Sequence, residues 1–80
     1  MATKAQIKKL AKAQGAKFFE GVDAFGDYYA EVLLPNHLSW DNGDFGGNCY
    51  QSKNSDETMA QFWDAMLGYI DYPVVDNPHA

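Results

Sequence analysis

The chain has 80 residues, an aromatic content of 15% and a formal net charge of −5, which together indicate one small folded domain and exclude a disordered segment. Its single cysteine, Cys49, excludes an internal disulfide and a cysteine-based zinc site. No stretch approaches the ~20 apolar residues of a membrane span, and the lysine-rich start lacks the apolar run of a signal peptide. We therefore expect a cytoplasmic protein that has no cofactor and does not bind a membrane.

Charge is divided sharply along the sequence. The first seventeen residues carry five lysines and no acid, whereas the remainder carries eleven acidic residues and one lysine, which is a net charge of −10. The chain has no arginine, the side chain that grips phosphate with two parallel donors. Because the acidic body should repel a phosphate backbone, we expect no direct binding of nucleic acid. The lysines are interpreted as a solvated helix face.

The first predicted element is a helix from about Lys4 to Gln14. Thr3 and Gln6 fit a capping box at its start, and apolar residues follow at helical spacing on one side. Gly15 stands where a C-terminal cap glycine is expected. Local signals at both ends therefore bound helix 1.

The middle of the chain predicts short strands. Aromatic and β-branched runs at 17–22 and 27–34 flank turn residues around Phe25. In the second run both alternating sets of side chains contain apolar residues, which predicts a central strand that Pro35 ends. Residues 36–40 fit either a short strand or an irregular crossing. A loop rich in Asp, Asn and Gly follows at 41–48, and then a short strand at 49–52.

Helix 2 is predicted from apolar residues that keep helical spacing from Met59 to Ile70. Ser55 is its predicted N-cap, with Asp56 and Glu57 in the first turn, where acids complement the helix dipole. The tail at 74–80 shows no periodicity and is interpreted as either disordered or strand-like.

These elements predict an α+β fold in the order α-β-β-β-α, with a two- to three-stranded antiparallel sheet. Each helix has a single apolar stripe, so both helices should lie on one sheet face and leave the other face free. We expect residues 1–73 to form one domain. Residues 74–80 would form a C-terminal tail that is either flexible or strand-like.

Acidic residues supply the main candidate surface for a partner. Glu57, Asp64 and Asp71 recur every seven residues and would form a stripe along helix 2 with a spacing of roughly 10 Å. Asp41 and Asp44 add charge in the glycine-rich loop. Such a surface would imitate a phosphate backbone and occupy a nucleic-acid-binding protein, or it would serve solubility alone.

Aromatic residues near the same loop supply the second candidate surface. Trp40 and Phe45 flank the turn residues, where exposed aromatic side chains act as interface anchors. The competing interpretation of Trp40 is a core residue that covers one end of the domain. The sequence leaves this choice open.

Metal and catalytic interpretations fit the sequence less well. The loop that begins at Asp41 lacks suitable ligands at three positions of a calcium-binding EF-hand loop. His37 and Cys49 are the remote candidates for a small hydrolase or a metal site, but their spacing matches no catalytic pattern. We therefore predict neither a metal nor an enzyme.

Two resemblances accompany these patterns. The order of elements resembles the double-stranded-RNA-binding domain, but the basic motif with which that family grips phosphate is replaced here by Asn54-Ser55-Asp56-Glu57. In size, charge and aromatic content the chain is similar to bacteriophage accessory proteins, including anti-CRISPR inhibitors of host defence. That likeness implies an inhibitor in the host cytoplasm and assigns no site residue.

The expected function is a non-catalytic inhibitor or adaptor that docks an acidic and aromatic surface on a larger protein. A nucleic-acid-handling protein is one candidate for that partner. The alternative is a structural or self-assembling protein that forms a homodimer through its free sheet face.

Overall fold

The computed structural model describes residues 1–79, in which two helices and five strands in antiparallel sheets follow the order α-β-β-β-β-α-β and confirm the α+β class. Ala80, the last residue of the predicted tail, lies outside the described residues. The elements are α1 (Lys4–Ala13), β1 (Lys17–Val22), β2 (Tyr28–Leu33), β3 (Leu38–Trp40), β4 (Asn48–Ser52), α2 (Met59–Ile70) and β5 (Val74–Asp76).

The strands form two antiparallel sheets. The larger sheet has the order β1-β2-β4, so β2 is the central strand, as its two apolar sets of side chains predict. The smaller sheet pairs β3 with β5, in the register that places Trp40 opposite Val74. The segment at 36–40 therefore contains a strand, and its partner comes from the segment after α2.

Helix α1 begins and ends where the sequence predicts. The Thr3 hydroxyl accepts the backbone N–H of Gln6 at 3.2 Å, which satisfies one of the free donors of the first turn. At the other end Gly15 adopts φ +74, and the backbone N–H of Ala16 donates to the carbonyl of Ala11 at 2.8 Å. This left-handed glycine cap closes the helix and turns the chain into β1.

Helix α2 begins later than the sequence predicts. Its N-cap is Thr58, whose hydroxyl accepts from the backbone of Gln61 at 3.1 Å while the Gln61 side chain accepts from the backbone of Thr58 at 2.8 Å. The prediction of Ser55 as N-cap is wrong, because no Glu or Gln stands three residues after it to complete a capping box. Asp56 and Glu57 consequently precede the helix.

This correction predicts different costs for two alanine substitutions. Thr58→Ala should lower the free energy of unfolding by about 1 kcal/mol, since it removes a capping side chain. Ser55→Ala should stay within about 0.5 kcal/mol of the wild type, as is usual for an exposed site without a structural role. Urea unfolding followed by circular dichroism measures both values. Equal losses, or a larger loss for Ser55→Ala, would contradict the boundary.

Both helices lie on one face of the larger sheet. From α1 the buried residues are Ile7 and Ala11, and from α2 they are Phe62, Trp63, Met66 and Ile70. From the larger sheet the buried residues are Ala30 and Val32 of β2 and Cys49 of β4. Tyr28 packs its ring edge-on against Phe62, with a centroid distance of 5.6 Å. No helix within residues 1–79 is long and apolar enough to cross a membrane.

Candidate functional site

The sheet face that is turned away from the helices carries nine residues in a regular grid. Because directly paired residues of antiparallel strands point to the same side, the register of the sheet fixes which side chains are neighbours. The three cross-strand rows are Lys17–Leu33–Asn48, Phe19–Glu31–Tyr50 and Gly21–Tyr29–Ser52. We call these nine residues the open face.

Aromatic rings cover much of the open face. Phe19 and Tyr50 keep 44% and 48% of their surface exposed, which is unusual for large aromatic side chains in a folded domain. Tyr29 stacks on Tyr50 with a centroid distance of 5.2 Å. The Tyr29 side chain also lies over Gly21, where an added Cβ would come within 3.0–3.2 Å of two ring carbons and the hydroxyl oxygen. The glycine therefore gives this ring the room it occupies.

Glu31 occupies the centre of the grid. It is half-buried, and one carboxylate oxygen, Oε2, accepts from the side-chain amide of Asn48 at 2.7 Å. The other oxygen, Oε1, accepts no hydrogen bond from residues 1–79. The pKa of Tyr50 is raised by partial desolvation and, after that, by the nearby Asp23, Tyr29 and Glu31. The centre of the open face is therefore an electronegative patch between aromatic rings.

The β1–β2 turn forms a hydrogen-bonded rim beside this patch. One oxygen of Asp23 accepts from the backbone of Phe25 at 2.9 Å and of Asp27 at 3.0 Å, and the other accepts from the Ser52 hydroxyl at 3.1 Å. These donors, with the Asp27 backbone the strongest, hold the pKa of Asp23 below its usual value. The turn presents Phe25 with 90% of its surface exposed. An ordered turn therefore carries an apolar side chain into solvent.

The three residues of the predicted acidic stripe do not all lie within helix α2. Asp64 is the only one of its three members within α2, because Glu57 precedes the helix and Asp71 is its C-cap. Asp64 accepts from the backbone N–H of Ala2 at 2.6 Å, and Glu57 accepts from the backbone N–H of Asn54 at 2.9 Å. Asp64 therefore ties the N-terminal segment to α2, and Glu57 closes a local turn before the helix.

The structure groups the predicted acids differently. The backbone N–H of Asp41 donates to the carbonyl of Pro73 at 2.9 Å. Burial raises the pKa of Tyr69, and the negative charge of the nearby Asp44 raises that pKa further. Asp41, Asp44 and Asp71 thus lie at the C-terminal end of α2. Glu57 lies at the other end, about 18 Å away along a helix of 12 residues.

Trp40 is a core residue, so the prediction that it lies on a partner-binding surface is wrong. Its side chain is fully buried, and its indole N–H donates to the Gln14 side chain at 3.0 Å. The ring packs edge-on against Tyr69 with a centroid distance of 5.8 Å. Phe45 lies half-buried in the loop with φ +52, a backbone region that few side chains adopt.

The open face contains none of the seven residues that the sequence singled out as partner-binding. The available signal is the alternation within β2, which separates Tyr29, Glu31 and Leu33 from the buried set. That alternation identifies a free face of β2 but does not show which residues of β1 and β4 lie beside it. Phe19 and Tyr50 join the site only through strand pairing.

His37 and Cys49 lie in different environments. Cys49 is buried on the helix-covered side of β4, and burial raises the pKa of its thiol to about 11. His37 is exposed in the β2–β3 connection. Over the described part of the chain, no three His, Cys, Asp or Glu side chains are grouped closely enough to hold a metal ion.

The buried thiol predicts slow alkylation. At pH 8 a thiol with a pKa of about 11 is thiolate in roughly one molecule in a thousand, against about a quarter for an unperturbed cysteine. Iodoacetamide should therefore modify native Cys49 at least about 100-fold more slowly than the urea-unfolded chain, as measured by mass spectrometry. Native and unfolded rates within about tenfold of each other would show that the thiol is accessible.

Comparison of the chain with protein-family models, with curated proteins and with solved structures finds no match.

Proposed function

We propose that this protein is a non-catalytic binding module that docks its open face on a larger protein and acts there as an inhibitor or adaptor. One observation carries the proposal: two half-exposed aromatic side chains, Phe19 and Tyr50, flank the carboxylate of Glu31 on a sheet. Aromatic residues are enriched at the centres of protein interfaces. A sheet holds them in place before binding, which reduces the entropy lost on association.

The size of the open face indicates how far the interface extends. Three strands about 4.8 Å apart and five residues long give a projected area of roughly 250 Å². A stable interface buries about 800 Å² on each partner. The neighbouring β1–β2 turn, with Val22 66% and Phe25 90% exposed, is the nearest apolar surface that extends it. We therefore place the centre of the interface on the open face and its rim at the turn.

Charge favours a basic partner. After the first seventeen residues the chain carries a net charge of −10, and complementary charge speeds encounter and selects among partners. Proteins that handle nucleic acids present basic surfaces of this kind. In the form of the proposal that the resemblance in size and charge to phage inhibitors of host defence implies, the protein blocks such a surface.

Self-association through the open face is the second candidate, since the same exposed rings would be covered in a dimer. A two-fold axis through the middle of the open face would bring Glu31 close to its own copy, and facing like charges destabilise a pairing. Sedimentation over a wide concentration range distinguishes the two candidates. A monomer removes the dimer, and a dimer that Tyr50→Ser dissociates would replace the present proposal.

The proposal is tested by capture from a host-cell lysate at low and high salt, followed by titration of the purified captured protein. Binding centred on aromatic side chains should weaken by less than about tenfold at high salt, because exposed charges are screened within 8–10 Å while apolar contacts are not. A steep loss of affinity with salt would indicate that the interface lies instead at the acids around Asp41 and Asp44. No saturable partner for the purified protein would contradict the proposal.

A further inference from the structure

The surroundings of Glu31 are those of a binding site for a cation. Its cross-strand neighbours Phe19 and Tyr50 lie on either side, with Cβ atoms about 5 Å away, and Tyr29 and Leu33 lie before and after it along β2. Four apolar or aromatic side chains therefore surround one carboxylate. Water is partly excluded there, so an approaching positive charge interacts with the carboxylate more strongly than in bulk solvent.

Among the residues that the structure describes, no cation pairs with this carboxylate. Within residues 1–79 the one ion pair closer than 4.0 Å joins Lys4 to Glu20, at the other side of the sheet. Lys17 is on the open face but is paired with Leu33 in the next row, and it makes no ion pair with Glu31. The amide of Asn48 orients one oxygen of Glu31, which leaves Oε1 for a donor from outside.

Aromatic rings beside a carboxylate favour arginine over lysine. A guanidinium is planar, donates to a carboxylate through two N–H groups and stacks on aromatic rings, and it loses less hydration than an ammonium group. Phe19 and Tyr50 supply rings on both sides of Glu31. The geometry thus offers both contacts that a guanidinium makes.

An exposed aromatic sheet also suits the stacking of nucleic-acid bases. That occupant would bring phosphates to a face whose centre is Glu31 and whose rim is Asp23. Single-strand binding surfaces pair their aromatic platforms with a positively charged groove, and the open face has one lysine, Lys17. The charges therefore favour a protein segment.

We propose that the open face receives an arginine side chain of the partner protein, with the guanidinium paired to Glu31 and stacked between Phe19 and Tyr50. This inference rests on the proposed function and names the chemistry that the partner must present. It assigns Glu31 as the residue that selects a cationic segment, and the rings as the residues that select arginine within that class.

The test is a titration of ¹⁵N-labelled protein with N-acetylarginine amide, followed by NMR chemical shifts. Saturable changes should appear in β1, β2 and β4, with a dissociation constant in the millimolar range expected of a single side chain. N-acetylcitrulline amide, which has nearly the same shape and no charge, should bind at least about tenfold more weakly. N-acetyllysine amide should also bind more weakly, because it lacks the planar group.

A matched pair of variants separates Glu31 from acidity in general. Glu31→Gln keeps an oxygen for the Asn48 amide, so it should fold normally and lose most of the arginine-dependent shifts. Glu57→Gln likewise keeps the acceptor for Asn54 but lies away from the open face, and it should bind as the wild type does.

Three results would overturn the inference: equal binding by Glu31→Gln, shifts confined to the acids at 41–44 and Asp71, or stronger binding of an oligothymidine than of arginine at the open face. Its failure is distinguishable from failure of the proposed function. If Glu31→Gln leaves the affinity for the captured protein unchanged while Tyr50→Ser abolishes it, the arginine contact is wrong and the docking face stands. If Tyr50→Ser also leaves that affinity unchanged, the proposed function fails.

Discussion

Replacing Trp40 with alanine should lower the free energy of unfolding by about 3–5 kcal/mol. The indole is fully buried, and it contacts Gln14 after α1 and Tyr69 of α2. Alanine would leave a cavity there, and the side-chain oxygen of Gln14 would lose the indole N–H that it accepts. An 80-residue domain has a total stability of only about 4–12 kcal/mol. The substitution should therefore remove a large share of the total stability. Urea unfolding followed by circular dichroism measures the change.

Two further variants keep this prediction testable if Trp40→Ala does not fold. Trp40→Phe preserves most of the volume and removes the hydrogen bond to Gln14, so it should cost about 1–3 kcal/mol. Tyr72→Ala removes a side chain that is 42% exposed and should cost less than about 1 kcal/mol. A loss below about 1 kcal/mol for both Trp40 variants would contradict the core position and return Trp40 to the candidate partner surface.

The double variant Phe19→Ser, Tyr50→Ser should weaken binding to the captured partner by at least about 30-fold. Aromatic side chains at the centre of an interface are the usual hot spots, and truncation of one such residue commonly costs that much. The fold should persist, because both side chains are about half exposed and neither belongs to the buried core. Calorimetric titration gives the affinity, and circular dichroism confirms folding.

The matched control for this prediction is Met59→Ser, Tyr72→Ser. These two side chains are 43% and 42% exposed and lie outside the open face, so the control removes similar exposure elsewhere. It should bind within about threefold of the wild type, as interface-remote substitutions do. Equal losses in the two double variants would show that the effect is one of general surface hydrophobicity.

Local signals made part of the fold predictable. Thr3 and Gly15 act through hydrogen bonds within a few residues of themselves, so the limits of α1 follow from the sequence alone. The central position of β2 was also predicted, from the apolar residues in both of its alternating sets, although one of these sets lies on the open face. The predicted start of helix 2 was wrong because Ser55 has no Glu or Gln three residues after it, whereas Thr58 has Gln61.

Long-range contacts made the rest unpredictable. Strands β3 and β5 have three residues each, and the pair Trp40–Val74 joins positions far apart in the chain. No periodicity can develop over three residues, so the sequence left both segments ambiguous. The burial of Trp40 likewise depends on Gln14, which is 26 positions away.

The candidate site shows the same limit. A free sheet face follows from the two amphipathic helices, but the row Phe19–Glu31–Tyr50 exists only when the register of both strand pairs is known. The acidic stripe was a prediction from helical spacing alone. Its first member, Glu57, precedes α2 and its last, Asp71, caps the helix, so only Asp64 lies within α2.

The central claim is that the open face is the docking surface, and NMR mapping of the complex with the captured protein tests it most directly. We predict that the side-chain resonances of Phe19, Tyr29 and Tyr50, together with the amides of the β1–β2 turn, change on binding, while those of the loop at 41–45 do not. Changes confined to that loop and the C-terminal end of α2, or to the lysine face of α1, would contradict the account.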